Sequence, residues 1–149
     1  YEKVIHALDE RKIKYKVFEY GTFKQKEYFD ALSSVSSRKG FMIYLQESES
    51  QGIAFQEAWI RDVPTLVWNK GSYTSSTGIT VTGNVAAPFL ADEAGMLFEG
   101  ASDFEARLDA FIMKKDAADP ANGFRPRNYC MRNLTDKASA QTYLKAIGM

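Results

Sequence analysis

The short unbroken apolar run Phe41-Met42-Ile43-Tyr44-Leu45, followed by a strand-like run at Thr65-Leu66-Val67-Trp68, constrains this chain more than any other feature. A strand with one wet face alternates apolar and polar residues, whereas an uninterrupted run marks a strand buried on both faces, as in a parallel sheet. Parallel neighbours need a crossover, and residues 52–60 between the runs are helix-compatible, ending at Asp62-Val63-Pro64. Two more strands are expected, at residues 14–19, stopped by Tyr20-Gly21, and at residues 96–98. Helices are expected at residues 1–11, where Val4, Ile5 and Leu8 are apolar, and at residues 24–36, where Tyr28, Leu32 and Val35 fall at i, i+4, i+7. Ser102-Asp103-Phe104-Glu105 reads as a capping box ahead of Phe104, Leu108, Phe111 and Ile112 at helical spacing. Four strands joined by crossover helices predict an α/β fold, a parallel sheet with helices on both faces.

The remaining segments are less regular. Residues 69–87, rich in Gly, Ser and Thr, are expected to form the least ordered connection, with an extended piece at residues 79–82. Residues 116–126 read as a linker to a last helix at residues 135–147. At 149 residues, 45% hydrophobic and 13% aromatic, the chain suits one domain with a substantial core. It opens at Tyr1 directly in a helical pattern, which suggests a piece excised from a longer protein. Nineteen basic residues balance nineteen acidic ones, so no overall field draws the chain to nucleic acid or to an anionic membrane. The single Cys130 makes no internal disulfide and fits a reducing cytosol, and no apolar run approaches the roughly 20 residues of a transmembrane segment. No His/Cys cluster suggests a metal. His6 reads as a helix-surface residue, Trp59 and Trp68 as core, and Arg125 and Arg127 as a solvated turn.

In an open parallel sheet, ligands bind beyond the carboxyl ends of the strands, where helix starts present free N–H groups. The loop Gln46-Glu47-Ser48-Glu49-Ser50-Gln51-Gly52 lies at such an end. Gly52, without a Cβ, allows a close approach to the backbone, while Ser48, Ser50 and Gln51 suit a ligand rich in hydroxyls. Glu57, farther along the helix, shares a face with Ile53 and is placed to accept from two vicinal ribose hydroxyls. The spacing of Glu49 and Glu57 has no weight alone, since Glu2 and Glu10, and Glu19 and Glu27, are spaced identically. Only the third pair follows an apolar strand and encloses a glycine at a helix start.

Taken together, Phe-Met-Ile-Tyr-Leu, Glu-Ser-Gln-Gly-Ile-Ala-Phe-Gln-Glu-Ala and Asp-Val-Pro-Thr-Leu-Val-Trp resemble the donor-binding segment of GT-B glycosyltransferases, which have two facing Rossmann-like domains and a Glu-x7-Glu motif. The close likeness covers residues 41–68, and the order of elements agrees over residues 1–113. The resemblance implies a single Rossmann-like domain, the C-terminal, donor-binding half of such an enzyme, with its N-terminal acceptor domain absent from this chain. It implies a hexose-type glycosyltransferase acting on a nucleoside diphosphate sugar and a glycan or lipid-linked acceptor, in surface polysaccharide synthesis. That enzyme would be cytoplasmic, and peripheral at the inner membrane face when whole. No cofactor is implied. By resemblance, Glu49, Ser50, Gln51, Gly52 and Ile53 would meet the donor sugar and phosphate, Glu57 the ribose, and Tyr20, Gly21 and Phe23 the base. The chain departs from the family where Gln51 replaces an aromatic residue and Asp62 a glycine, and the family's Arg/Lys pair for the diphosphate would lie before Tyr1. A nucleotide-sugar epimerase and a non-catalytic flavodoxin-like binding module are the alternative readings.

Overall fold

The computed structural model describes residues 1–148, which form an α/β structure around a three-stranded parallel sheet. In chain order the elements are α1 (Glu2–Glu10), α2 (Gln25–Ser37), β1 (Met42–Tyr44), α3 (Ile53–Trp59), β2 (Thr65–Trp68), β3 (Ser72–Thr74), β4 (Thr80–Thr82), β5 (Gly95–Phe98), α4 (Phe104–Lys115), α5 (Pro126–Asn133) and α6 (Asp136–Ala146). The middle strand is β2, with Leu66 in register with Ile43 of β1 and Met96 of β5.

Successive side chains of β2 leave by opposite faces, so one apolar run feeds two cores. Leu66 packs with Val4 and Leu8 of α1 and with Leu108 and Phe111 of α4, whereas Val67 packs with Phe55 and Trp59 of α3 and Cys130 of α5. Helix α2 reaches this second face through Leu32, which meets Ala58 and Val63. Leu66 and Val67 are both fully buried, each stabilising the fold by about 1.5–3 kcal/mol. Buried Thr65 also finds a partner, its Oγ1 accepting from Trp59 Nε1 at 3.2 Å. The β2–β5 pair is close at its start, where a Cβ on Gly95 would stand 2.1 Å from the Thr65 carbonyl oxygen.

Several expectations are corrected. Residues 14–19 form no strand, and the sheet has three parallel strands rather than four. The strand-like alternation is present, but no neighbour offers a ladder: Tyr15 and Val17 remain 45% and 43% exposed, while Phe18 turns into an aromatic cluster. The capping box does not form either. Asp103 rather than Ser102 is the N-cap of α4, and its carboxylate points backward, accepting from the N–H groups of Glu99 and Gly100, the latter at 2.8 Å.

Residues 69–87 are more regular than their composition suggests, because Ser72–Thr74 and Thr80–Thr82 pair as an antiparallel hairpin and Val85, Ala86 and Ala87 are buried. The linker stops at Arg125, for Pro126 takes the first turn of α5, where its missing N–H costs nothing. Helix α6 matches expectation, with Thr135 as N-cap accepting from the Ala138 N–H. Among the described residues no helix is long and apolar enough to cross a membrane.

Candidate functional site

Strands β1 and β2 are parallel, so the chain leaves both at the same end of the sheet. Past β1 comes the loop holding Glu49, and past β2 comes Asn69, a buried polar residue that ties the two connections together. Asn69 Nδ2 donates to the Gly83 carbonyl at 3.2 Å, and its Oδ1 accepts from the N–H groups of Val85 and Ala86 at 3.1 and 3.4 Å. The Val85 carbonyl then accepts from the Glu49 N–H at 2.9 Å. One buried amide thereby positions the backbone of the candidate loop.

The Glu49 side chain turns back on its own loop. Its Oε1 accepts from the Ser50 and Gln51 N–H groups at 2.8 and 3.1 Å, and its Oε2 accepts from the Tyr44 hydroxyl at 3.1 Å. Burial pushes its pKa up, but the N–H groups of Gly52, Gln51 and Ser50 and the Tyr44 hydroxyl together outweigh that and hold it below the usual carboxylate range. Tyr44 shows the converse: burial first, then the charge of Glu49 and the bond donated to it, raise the phenol well above its ordinary range. A carboxylate has about four acceptor positions; the Ser50 and Gln51 N–H groups and the Tyr44 hydroxyl fill three of them, and the Gly52 N–H acts on the same group.

Gly52 is the N-cap of α3, with φ of 63°, in the left-handed region that favours glycine. A Cβ there would lie 2.3 Å from the Phe89 ring, so that ring fills the space on the side-chain side of the glycine. Ser50, Gln51 and Ile53 are all exposed, and the Gln51 carbonyl accepts from Gln56 Nε2 at 3.0 Å.

Glu57 sits in a different environment. It is half-buried on α3, and among the described residues its carboxylate has neither a hydrogen bond nor an ion pair, so burial raises its pKa, with Arg61 opposing. Its neighbour is Tyr28 of α2, whose hydroxyl donates to the Ala54 carbonyl at 3.1 Å and whose pKa is pushed up to about 12 by burial and then by the Glu57 charge. Tyr28 also joins an aromatic cluster, with ring centroids 5.7 Å from Phe23 and 5.6 Å from Phe18. The structure thus brings Phe23 to Glu57 through Tyr28. Tyr20 and Gly21 stand apart: Tyr20 is fully exposed, and Gly21 turns at φ of 81° with open space around it.

Compared with family models, with curated proteins and with solved structures, the chain matches none.

Three residues were missed in the sequence reading. Tyr44 and Tyr28 looked like strand and helix core, although each carries a hydroxyl that needs a partner when buried. Phe89 gave no signal, because its contact with Gly52 spans distant segments. His6 lies on the surface of α1, 3.2 Å from Glu10, as expected. Trp59 is wholly buried, Cys130 is buried with its thiol pKa raised by desolvation, and no group of three metal-ligating side chains occurs among the described residues. The clearest surface recesses lie elsewhere, one beside Lys12 and Lys14, the other beside Asp92 and Lys114. Neither recess is lined by Glu49 or Glu57.

Proposed function

We propose that this chain is the donor-binding half of a GT-B glycosyltransferase, holding a nucleoside diphosphate sugar for transfer of a hexose-type sugar to a glycan or lipid-linked acceptor. The observation that carries the reading is Glu57: a half-buried carboxylate left without a partner, beside an aromatic cluster, on the helix that follows a parallel strand. An unpartnered acceptor costs free energy that a pair of ribose hydroxyls would recover. Phe23 and Tyr28 offer the base an apolar margin. Catalysis in such an enzyme is chiefly positioning and stabilisation of the leaving diphosphate.

Glu49 also supports a second reading. Bonded to Ser50 and Gln51 of its own loop and to Tyr44 of β1, it serves equally as a loop clasp in a non-catalytic binding module. Calorimetry with uridine, guanosine and adenosine diphosphates tests both. On the proposed reading one of them binds, Glu57→Ala weakens it by about 1–3 kcal/mol, and Glu49→Ala leaves it nearly unchanged because that residue faces the sugar. Binding of none of the three, or indifference to Glu57→Ala, overturns the assignment.

A further inference from the structure

An asparagine loses its amide when the backbone nitrogen of the next residue attacks its side-chain carbonyl carbon, which requires a small following residue and a backbone free to turn. Of Asn69, Asn84, Asn122, Asn128 and Asn133, only Asn122 is followed by glycine. Asn69 and Asn84 use both ends of their amides in hydrogen bonds and precede the side chains of Lys70 and Val85. Asn128 and Asn133 lie in α5, and the N–H groups that follow them, those of Tyr129 and Leu134, donate to helical carbonyls at 3.1 and 2.8 Å.

Asn122 stands in an exposed turn between α4 and α5, outside any helix or strand. The ends of that connection are tied down, since Lys114 Nζ donates to the Asp92 carbonyl and the Arg125 N–H to the Glu93 carbonyl, both at 2.7 Å. The two groups that must react are held loosely. The Gly123 N–H reaches the Pro120 carbonyl only at 3.4 Å, and Asn122 Nδ2 reaches Oδ2 of exposed Asp119 at 3.3 Å. Glycine is not demanded by the backbone here: Gly123 lies outside the left-handed region, and a Cβ on it would meet the Lys114 carbonyl oxygen at 3.5 Å, an ordinary contact.

We propose that Asn122 is a site of spontaneous deamidation. The Gly123 nitrogen gives its proton to hydroxide and bonds to Cγ of Asn122, the bond from Cγ to the side-chain nitrogen breaks, and that nitrogen takes a proton from water and leaves as ammonia. Water then opens the cyclic imide at either carbonyl. The product is aspartate or isoaspartate at position 122, and either adds one carboxylate to a chain whose acidic and basic residues balance. That carboxylate enters a recess already lined by Lys114, Arg125, Asp92 and Glu93, so the modification changes the charge of a surface that the rest of the chain holds in place.

Incubation of the full chain in warm, mildly alkaline buffer, followed by trypsin and mass spectrometry against an unincubated sample, tests the proposal with no nucleotide present. Trypsin releases residues 116–127 as one peptide, because the Arg125–Pro126 bond resists it, and Asn122 is its sole asparagine. The expected result is conversion of amide to acid at position 122, part of it as isoaspartate that an isoaspartyl methyltransferase labels, with the other asparagines unchanged. Gly123→Ala should lose the conversion because its methyl crowds the attacking nitrogen, and Asn122→Gln should lose it because the longer side chain closes a ring far more slowly. Circular dichroism on both variants checks that the fold is intact. Conversion that appears only when the chain is unfolded in guanidinium chloride, conversion undiminished in Gly123→Ala, or faster conversion at another asparagine overturns the proposal.

Discussion

Glu49 and Glu57 carry the same group in opposite surroundings, and stability against pH separates them. Glu49 has its folded pKa depressed, so its ionised form stabilises the fold above the ordinary carboxylate range and that contribution is lost as pH falls through the folded value. Glu57 has its folded pKa raised, so ionisation weakens the fold above that value and has no effect below the ordinary range. At neutral pH, Glu49→Gln is expected to cost about 1 kcal/mol, allowing for partial exposure, and Glu57→Gln to raise stability. Urea unfolding followed from neutral to acid pH should show both differences shrinking, from opposite signs. Differences of the same sign would contradict these environments. At Gly52, left-handed strain and the Phe89 ring act together, so Gly52→Ala should cost about 3 kcal/mol. A double-mutant cycle checks the cause: Phe89→Ala should cost at least about 1 kcal/mol less in the Gly52→Ala background than in the parent.

At the scale of the element, the Asp103 carboxylate caps no N–H of α4 and instead holds the turn that leads into it. Asp103→Ala removes the acceptor for the Glu99 and Gly100 N–H groups and should lower stability by about 1 kcal/mol, whereas Ser102→Ala should be nearly neutral. Denaturant midpoints of the two variants decide the matter, and the reverse ranking would restore the capping box. The loop between β2 and β5 depends similarly on Asn69, whose amide satisfies one carbonyl and two N–H groups. The hairpin of β3 and β4 was only half legible: Ile79-Thr80-Val81-Thr82 has strand composition, but Ser72-Tyr73-Thr74 becomes a strand only because Tyr73 finds Val81 opposite. Helix α5 was hidden for a related reason. Its sequence Pro-Arg-Asn-Tyr-Cys-Met-Arg-Asn shows little apolar period, and packing of Cys130 on the face of α3 holds it in place.

At the scale of the whole molecule, β2 is the middle of the sheet and belongs to both cores. Amide hydrogen exchange should therefore be slowest at Leu66 and Val67 and fastest across residues 14–19, which have no ladder partner. Slow exchange in residues 14–19 would show a pairing that the fold lacks. Trp59 links α3 to β2 through its bond to Thr65 and stacks on Phe55 at 5.7 Å, so Trp59→Ala should cost about 3–5 kcal/mol by calorimetric unfolding.

The runs at Phe41–Leu45 and Thr65–Trp68 pointed to parallel strands, a crossover helix and the end of the sheet where the Glu49 loop lies, but only the second became a buried middle strand: Met42, Ile43 and Tyr44 form a partly buried edge strand and Leu45 is exposed, so the expected burial of the first run on both faces is corrected. Helical period likewise placed α1, α2 and the start of α4 within a residue or two, and α6 falls within the helix expected at residues 135–147. Tertiary structure alone decided whether residues 14–19 became a strand, since pairing is a property of neighbours and the pattern of Tyr15 and Val17 describes only a willingness to pair. It alone decided that Glu49 spends its acceptors on Ser50, Gln51 and Tyr44 while Glu57 keeps its own free. Both residues are glutamates at plausible positions in the chain, but a carboxylate's chemistry is set by the donors and the solvent around it, and those come from segments that folding brings together.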